Sequence, residues 1–172
     1  MQDADIEVTT GEGGRARAVS ETTDVERVYR EQGARIWRAL LAYTGSREET
    51  SDAVAEAFAQ LLRRGRDVRD PKAWVWRAAF RIAAGEMKAR RRRGRSGVPA
   101  RVETGDGPSD RLVAALRRLS PKQRGSVLLH HYAGHSVRET ATILGSTSAA
   151  VRVHLSQGRK RLRVLLEDDH ED

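Results

Sequence analysis

Apolar residues recur along this chain at helical spacing, in successive short blocks, and no stretch reads convincingly as a strand. From Asp24 to Tyr43, the residues Val25, Val28, Ile36, Leu40 and Leu41 fall near one stripe, and Thr44-Gly45 ends that helix. Ser46 and Glu49 stand at capping-box spacing and open a second helix to about Arg64. Its apolar face is Ala53, Val54, Ala57, Phe58, Leu61 and Leu62, while Asp52, Glu56 and Gln60 recur every four residues as a polar stripe. Asp70-Pro71 is a strong helix start and predicts a third helix carrying Trp74, Trp76, Phe80, Ile82 and Met87, ending in a basic run through Arg95.

The periodicity stops between Gly94 and Asp110, where Gly, Pro, Ser and charges dominate. Beyond it, four further helices are expected. They are Asp110 to Arg118, a helix capped by Ser120-Pro121-Lys122-Gln123 and running to about Tyr132, one from Ser136 to Gly145, and a long last one through about Leu166. Residues 1–23 are polar, glycine-containing and without period, so they read as a disordered tail. The expected organisation is therefore all-α. Two small helical domains, 24–93 and 110–166, are joined by a flexible linker, 94–109, and followed by an acidic tail, 167–172.

Charge narrows what such helices do. The chain carries 32 Lys and Arg against 24 Asp and Glu, but many of the acids sit in the two tails. Setting aside residues 1–24 and 167–172 leaves 30 basic and 13 acidic residues, a net +17 that favours a polyanionic partner. The absence of cysteine excludes a disulfide scaffold and a thiolate zinc site, and fits the cytoplasm. No apolar run is long enough to insert in a membrane, and the acidic start is not a secretory signal. His131 and His135 have no acidic or Cys partner at ligand spacing, so no metal is expected. With no nucleophile elbow, phosphate loop or dinucleotide fingerprint, neither catalysis nor a cofactor is expected.

Two stretches carry chemistry. Residues 136–162 form a helix-turn-helix pattern: small Ala141 allows close approach, Gly145 makes the turn, and Val151, Leu155 and Leu162 face inward. The opposite face holds Arg152, Ser156, Gln157, Arg159, Lys160 and Arg163, side chains that bond base edges and phosphates in a major groove. A solvated Arg-rich face is the bland alternative, and the coincidence of turn and basic face favours DNA. The second stretch is Asp70 to Arg93, where two tryptophans sit on a basic helix. Core packing and stacking on unpaired bases are both open readings for them.

These residues resemble the extracytoplasmic-function sigma factors, the minimal two-domain branch of the bacterial sigma family. Leu119-Ser120-Pro121-Lys122-Gln123-Arg124 resembles the family's "L-P-x-x-x-R", and Ser136 through Gly145 resembles "S-x-x-E-I-A-x-x-L-G". Ala150 through Leu155 falls where the family has "T-V-K-S-R-L", and Gly158 through Arg163 matches its basic tail. In the first domain Ser51 through Phe58 resembles "E-D-L-V-Q-E-V-F", and Ala73 through Ala79 resembles "A-W-L-Y-R-I-A". The likeness spans about residues 24–166.

The resemblance implies a factor that binds core RNA polymerase and starts transcription at promoters, contacting duplex and melted DNA. Asp52, Glu56 and Gln60 would meet the polymerase clamp helices. The loop with Arg64, Arg66 and Arg69, and the helix with Trp74, Trp76, Arg77, Phe80 and Arg81, would open the minus-ten element. Arg152, Val153, Ser156 and Gln157 would read the minus-thirty-five element, beside Arg159, Lys160 and Arg163. An anti-sigma partner is often found in this family. The chain departs from the pattern at Ala55, Arg81, Gly85, Ala150, Val153 and His154. Two other readings stay open: a stand-alone helix-turn-helix regulator, and a degenerate relative that holds polymerase without initiating.

Overall fold

The computed structural model describes the backbone of residues 12–94 and 108–167, and the side chains of 24–94, except Arg66, and of 110–167. It is all-α, with no strand among the described residues. In chain order the elements are α1 (Glu12–Thr44), α2 (Arg47–Arg64), a 3-10 turn (Gly65–Asp67), α3 (Pro71–Arg92), α4 (Pro108–Arg117), α5 (Pro121–Val127) running into a π-helical turn (Leu128–Tyr132), α6 (Val137–Leu144) and α7 (Ser148–Glu167). Most of the expected linker lies outside the described residues.

Helix α1 starts at Glu12, twelve residues before the expected Asp24. The added segment has helix formers such as Ala16, Arg17, Ala18 and Glu21 but no apolar stripe, so periodicity passes over it. The caps formed largely as the sequence expects. Asp70 accepts the Ala73 N–H at 3.0 Å, and both Ser120/Gln123 and Ser136/Glu139 close full capping boxes. At α2 only half of the expected box forms. Ser46 Oγ accepts the Glu49 N–H, while the Glu49 carboxylate turns instead to Arg90 near the end of α3 in a half-buried ion pair. Gly145 adopts φ +59 at the α6–α7 turn, the left-handed region that favours glycine.

Helices α1, α2 and α3 pack on one another around Ile36, Leu40, Leu61, Val75 and Phe80. Helices α4 to α7 enclose Leu116, Leu129, Ala141, Val151 and Leu155. Leu62, expected on the apolar face of α2, is 48% exposed. It lies one turn beyond Phe58, past the edge that α1 and α3 cover.

The two halves also meet, and guanidinium groups join them. Helix α1 has no basic residue in its own last turn, so no cation of its own meets its final carbonyls. Arg124 on α5 is buried and donates to the Tyr43 carbonyl at 2.8 Å, and Arg117 on α4 donates to the Gly45 carbonyl at 3.0 Å. In the other direction, Arg35 on α1 donates to the carbonyl of Tyr132, where the π-helical turn ends. Each cation sits at the negative end of a helix, where charge and orphaned acceptors both favour it. Gly125 permits the approach: a Cβ there would lie 3.0 Å from Leu144 Cδ2 and 3.3 Å from Tyr43 Cε2.

At the same junction the His135 and Trp76 rings meet in a T-shaped arrangement, with centroids 5.3 Å apart. Burial pushes the His135 imidazole below its ordinary value, against the opposing pull of Glu139 and Asp70 and with that of Arg35. Arg77 and Arg138 line the same cleft. A depressed imidazole binds fewer protons in the packed state, so stability is greatest above the ordinary histidine value and falls as pH drops below about 6.5. His131 is shifted the same way, so the comparison that isolates this site is His135→Phe. That variant is expected to flatten part of the decline in melting temperature with falling pH. An unchanged decline would remove His135 as a contributor.

Candidate nucleic-acid interface

Helix α7 owes its orientation to its inner face. Val151, Leu155, Leu162 and Leu165 are buried against α4, α5 and α6. Gly158 is buried where α7 crosses α5, and a Cβ there would sit 3.0 Å from Val127 Cγ2. Thr147 caps the start, accepting the Ala150 N–H at 3.1 Å. The outer face then presents Arg152, Val153, Ser156, Gln157, Arg159, Lys160 and Arg163, all of them exposed. Helix α7 contains no acid before Glu167, and among the described residues none of these four cations is ion-paired. Val153 is 51% exposed, an apolar spot suited to a thymine methyl. All seven candidates thus share one open, basic face.

The first half sorts its candidates differently. Trp74, Arg77 and Arg81 share the outer side of α3: Arg81 is exposed, and Trp74 and Arg77 are half-buried. Arg64 lies over the Trp74 ring, 5.8 Å from its centroid. Arg69 is exposed in the preceding loop, and the Arg66 side chain lies outside the described residues. Trp76 and Phe80, expected among the residues that open the minus-ten element, do not join this surface: of the two readings left open for Trp76, the packed arrangement is the core one, and Phe80 is buried with it. Their exposures are 3% and 1%, they stack on each other, and Trp76 Nε1 donates to Gln32 Oε1. The spacing held this signal: Trp76, Phe80, Ala83 and Met87 recur on the inward stripe, whereas Trp74, Arg77 and Arg81 recur on the other side.

On α2, Asp52 and Glu56 are exposed and Gln60 is half-buried, in line along the helix. Gln60 and Arg63 both donate to Glu56 Oε1 at 2.8 Å, and these bonds hold the Glu56 carboxyl below the usual carboxylate range. Glu56 therefore stays anionic at neutral pH. Sequence reasoning missed the open depression beside α3, lined by Asp24, Val25, Arg27, Leu61, Gly65, Val68, Arg69 and Pro71. It joins the start of the expected first helix to a loop more than 40 residues on, so no local pattern announces it. Among the described residues no group of three or more His, Cys, Asp or Glu is placed to hold a metal ion, and no helix is long and apolar enough to cross a membrane.

Comparison with known proteins follows the same outline. Residues 109–162 match the family model of sigma-70, region 4. Over 165 residues the chain is 27% identical to the ECF RNA polymerase sigma factor SigL of Mycobacterium tuberculosis, covering 88% of this chain and 93% of that one. It is 28% identical to the ECF RNA polymerase sigma factor BldN of Streptomyces coelicolor, covering 83% and 60%. Among solved structures, the sigma factor RpoE of Bartonella quintana in complex with the anti-sigma factor NepR superposes with a TM-score of 0.68 at 18% identity, covering 85% of this chain and 96% of that one. CnrH in complex with the cytosolic domain of CnrY gives 0.65 at 20% identity, covering 90% and 95%. These two likenesses establish the shared fold. With a region 4 match over the helix-turn-helix and sequence relatives along nearly the whole chain, the protein is similar to the extracytoplasmic-function sigma factors.

Proposed function

We propose that this chain binds core RNA polymerase in the cytoplasm and directs promoter-specific initiation, as a regulatory subunit rather than an enzyme. Helix α7 reads the minus-thirty-five element. Arg152, Val153, Ser156 and Gln157 face the bases, and Arg159, Lys160 and Arg163 lie along the phosphates. The observation that carries this reading is the outer face of α7, where all these side chains are exposed together without an acid among them. Arg64, Arg66, Arg69, Trp74, Arg77 and Arg81 act on the minus-ten element. Trp74 supplies the stacking surface, and Trp76 and Phe80 support it from the core. Asp52, Glu56 and Gln60 meet the polymerase clamp. Because one solved relative by fold, RpoE, is bound to the anti-sigma factor NepR, an anti-sigma factor is a further expected partner.

The test is run-off transcription with purified bacterial core polymerase on a promoter library, with and without the chain. Discrete starts sharing two upstream elements are expected. They should weaken steeply with salt, as phosphate contacts require. Polymerase binding without starts would favour the degenerate interaction protein, which Arg81 and Gly85 keep in view. Duplex binding without polymerase binding would favour a stand-alone regulator.

A further inference from the structure

Hydrogen bonds at the α5–α7 crossing decide which end of the Gln157 amide is left for DNA. The Ser120 N–H can only donate, so the arm of Gln123 that meets it at 3.2 Å is Oε1. The other arm of Gln123 is then Nε2, which can only donate, and it donates to Gln157 Oε1 at 3.2 Å. A backbone amide thus sets the sense of the whole chain of bonds. The Gln157 oxygen is turned back toward α5, and its amino group remains on the open face. The crossing is tight at this point: a Cβ on the adjacent Gly158 would meet Gln123 Cβ at 3.6 Å as well as Val127. The Gln123 side chain is also held from its own helix, since its N–H donates to Ser120 Oγ at 3.3 Å.

A free glutamine pairs with adenine through both arms, its oxygen taking the N6 hydrogen and its nitrogen donating to N7. With the oxygen turned toward Gln123 and away from the open face, that pairing loses one bond. Guanine offers two acceptors, N7 and O6, to a donor. Thymine offers O4, and cytosine offers only a donor. We infer that Gln123 is a positioning residue that makes Gln157 a donor-only reader, so that the base facing it is selected in the order guanine, thymine, adenine, with cytosine rejected. This inference rests on the proposal that α7 enters the major groove of the minus-thirty-five element.

Gln123→Glu is the discriminating variant. A glutamate at this position keeps the capping box, with one carboxylate oxygen on the Ser120 N–H. The other oxygen can only accept, so it captures Gln157 Nε2 and turns the Gln157 oxygen outward. Polymerase reconstituted with the full chain is run on a promoter library randomised across the minus-thirty-five element, and the transcribed templates are sequenced. Gln157→Ala identifies the base pair concerned, because preference is lost there and retained elsewhere. At that position the unsubstituted chain is expected to favour guanine, and replacing it by 7-deazaguanine is expected to weaken transcription. Gln123→Glu is expected to reverse the preference toward cytosine and adenine by about tenfold, the order of one base contact, with an unchanged melting temperature.

A general fall in transcription with the guanine preference retained would show only the added charge and would overturn the inference, leaving α7 as the reading helix. A preference for adenine in the unsubstituted chain would overturn it directly. If Gln157→Ala alters no position while discrete starts persist, Gln157 does not read DNA, and the inference falls without the sigma reading. Absence of all starts removes both.

Discussion

Replacing Arg124 by methionine is expected to lower the stability of the chain by about 2–4 kcal/mol and to loosen the contact between its halves. Methionine keeps most of the apolar stem but removes the donors. The Tyr43 carbonyl, which receives the guanidinium at 2.8 Å, then loses a charged donor inside a buried junction. Burial disfavours the charge of Arg124, and the nearby arginines Arg117, Arg91 and Arg90 add repulsion. An arginine held there against that cost is tied to its acceptors. Calorimetry reads the loss of stability, and small-angle scattering reads a larger radius of gyration. Adding Arg117→Met, which removes the donor to Gly45, is expected to extend both changes. An unaltered melting temperature with an unaltered radius would mean that the guanidinium does not hold the halves together.

Trp74→Ala is expected to cut run-off transcription from duplex promoters about tenfold, while leaving it nearly intact on templates whose minus-ten element is already unpaired. Trp74 is half-buried, with its ring near Arg64 and Arg77 and Arg81 on successive turns of its helix face. Stacking of a base on such a ring contributes about 1–3 kcal/mol, which matters only while strands must be separated. Trp76→Ala should behave otherwise. It removes a ring that is 3% exposed and stacked on Phe80, so the expected loss is about 3–5 kcal/mol of stability, with equal effects on both templates. If the two variants exchanged these outcomes, the assignment of inner and outer faces of α3 would be reversed.

The contrast between the two tryptophans also marks how far sequence reading reaches. Their opposite fates follow from helical spacing, but composition alone makes both look like aromatic residues on a basic helix. Local chemistry was legible wherever a few adjacent residues decide the outcome. Asp70-Pro71, Ser120 with Gln123, Ser136 with Glu139, and Gly145 all mark helix ends where the sequence places them. That the seven candidates on α7 share one exposed face was legible for the same reason, since one helix carries them all. Glu49 shows the limit. Its spacing from Ser46 is that of a capping box, yet Arg90, 41 residues away, takes its carboxylate. The bonds of Arg124 to Tyr43 and of Arg35 to Tyr132 span 81 and 97 residues, and no local pattern encodes them.

Those junction bonds have a genetic consequence. Their acceptors are main-chain carbonyls, and every residue type supplies one. Substitutions at Tyr43 or Tyr132 that keep the backbone path leave the acceptor in place and remove only the ring beside the guanidinium, so the hydrogen-bonded part of the recognition is written in the arginines. Selection for variants with separated halves should therefore return lesions at Arg35, Arg117 and Arg124 far more often than at the positions they touch. Second-site suppressors should be scarce opposite them, because no side chain there can be altered to restore what an arginine has lost.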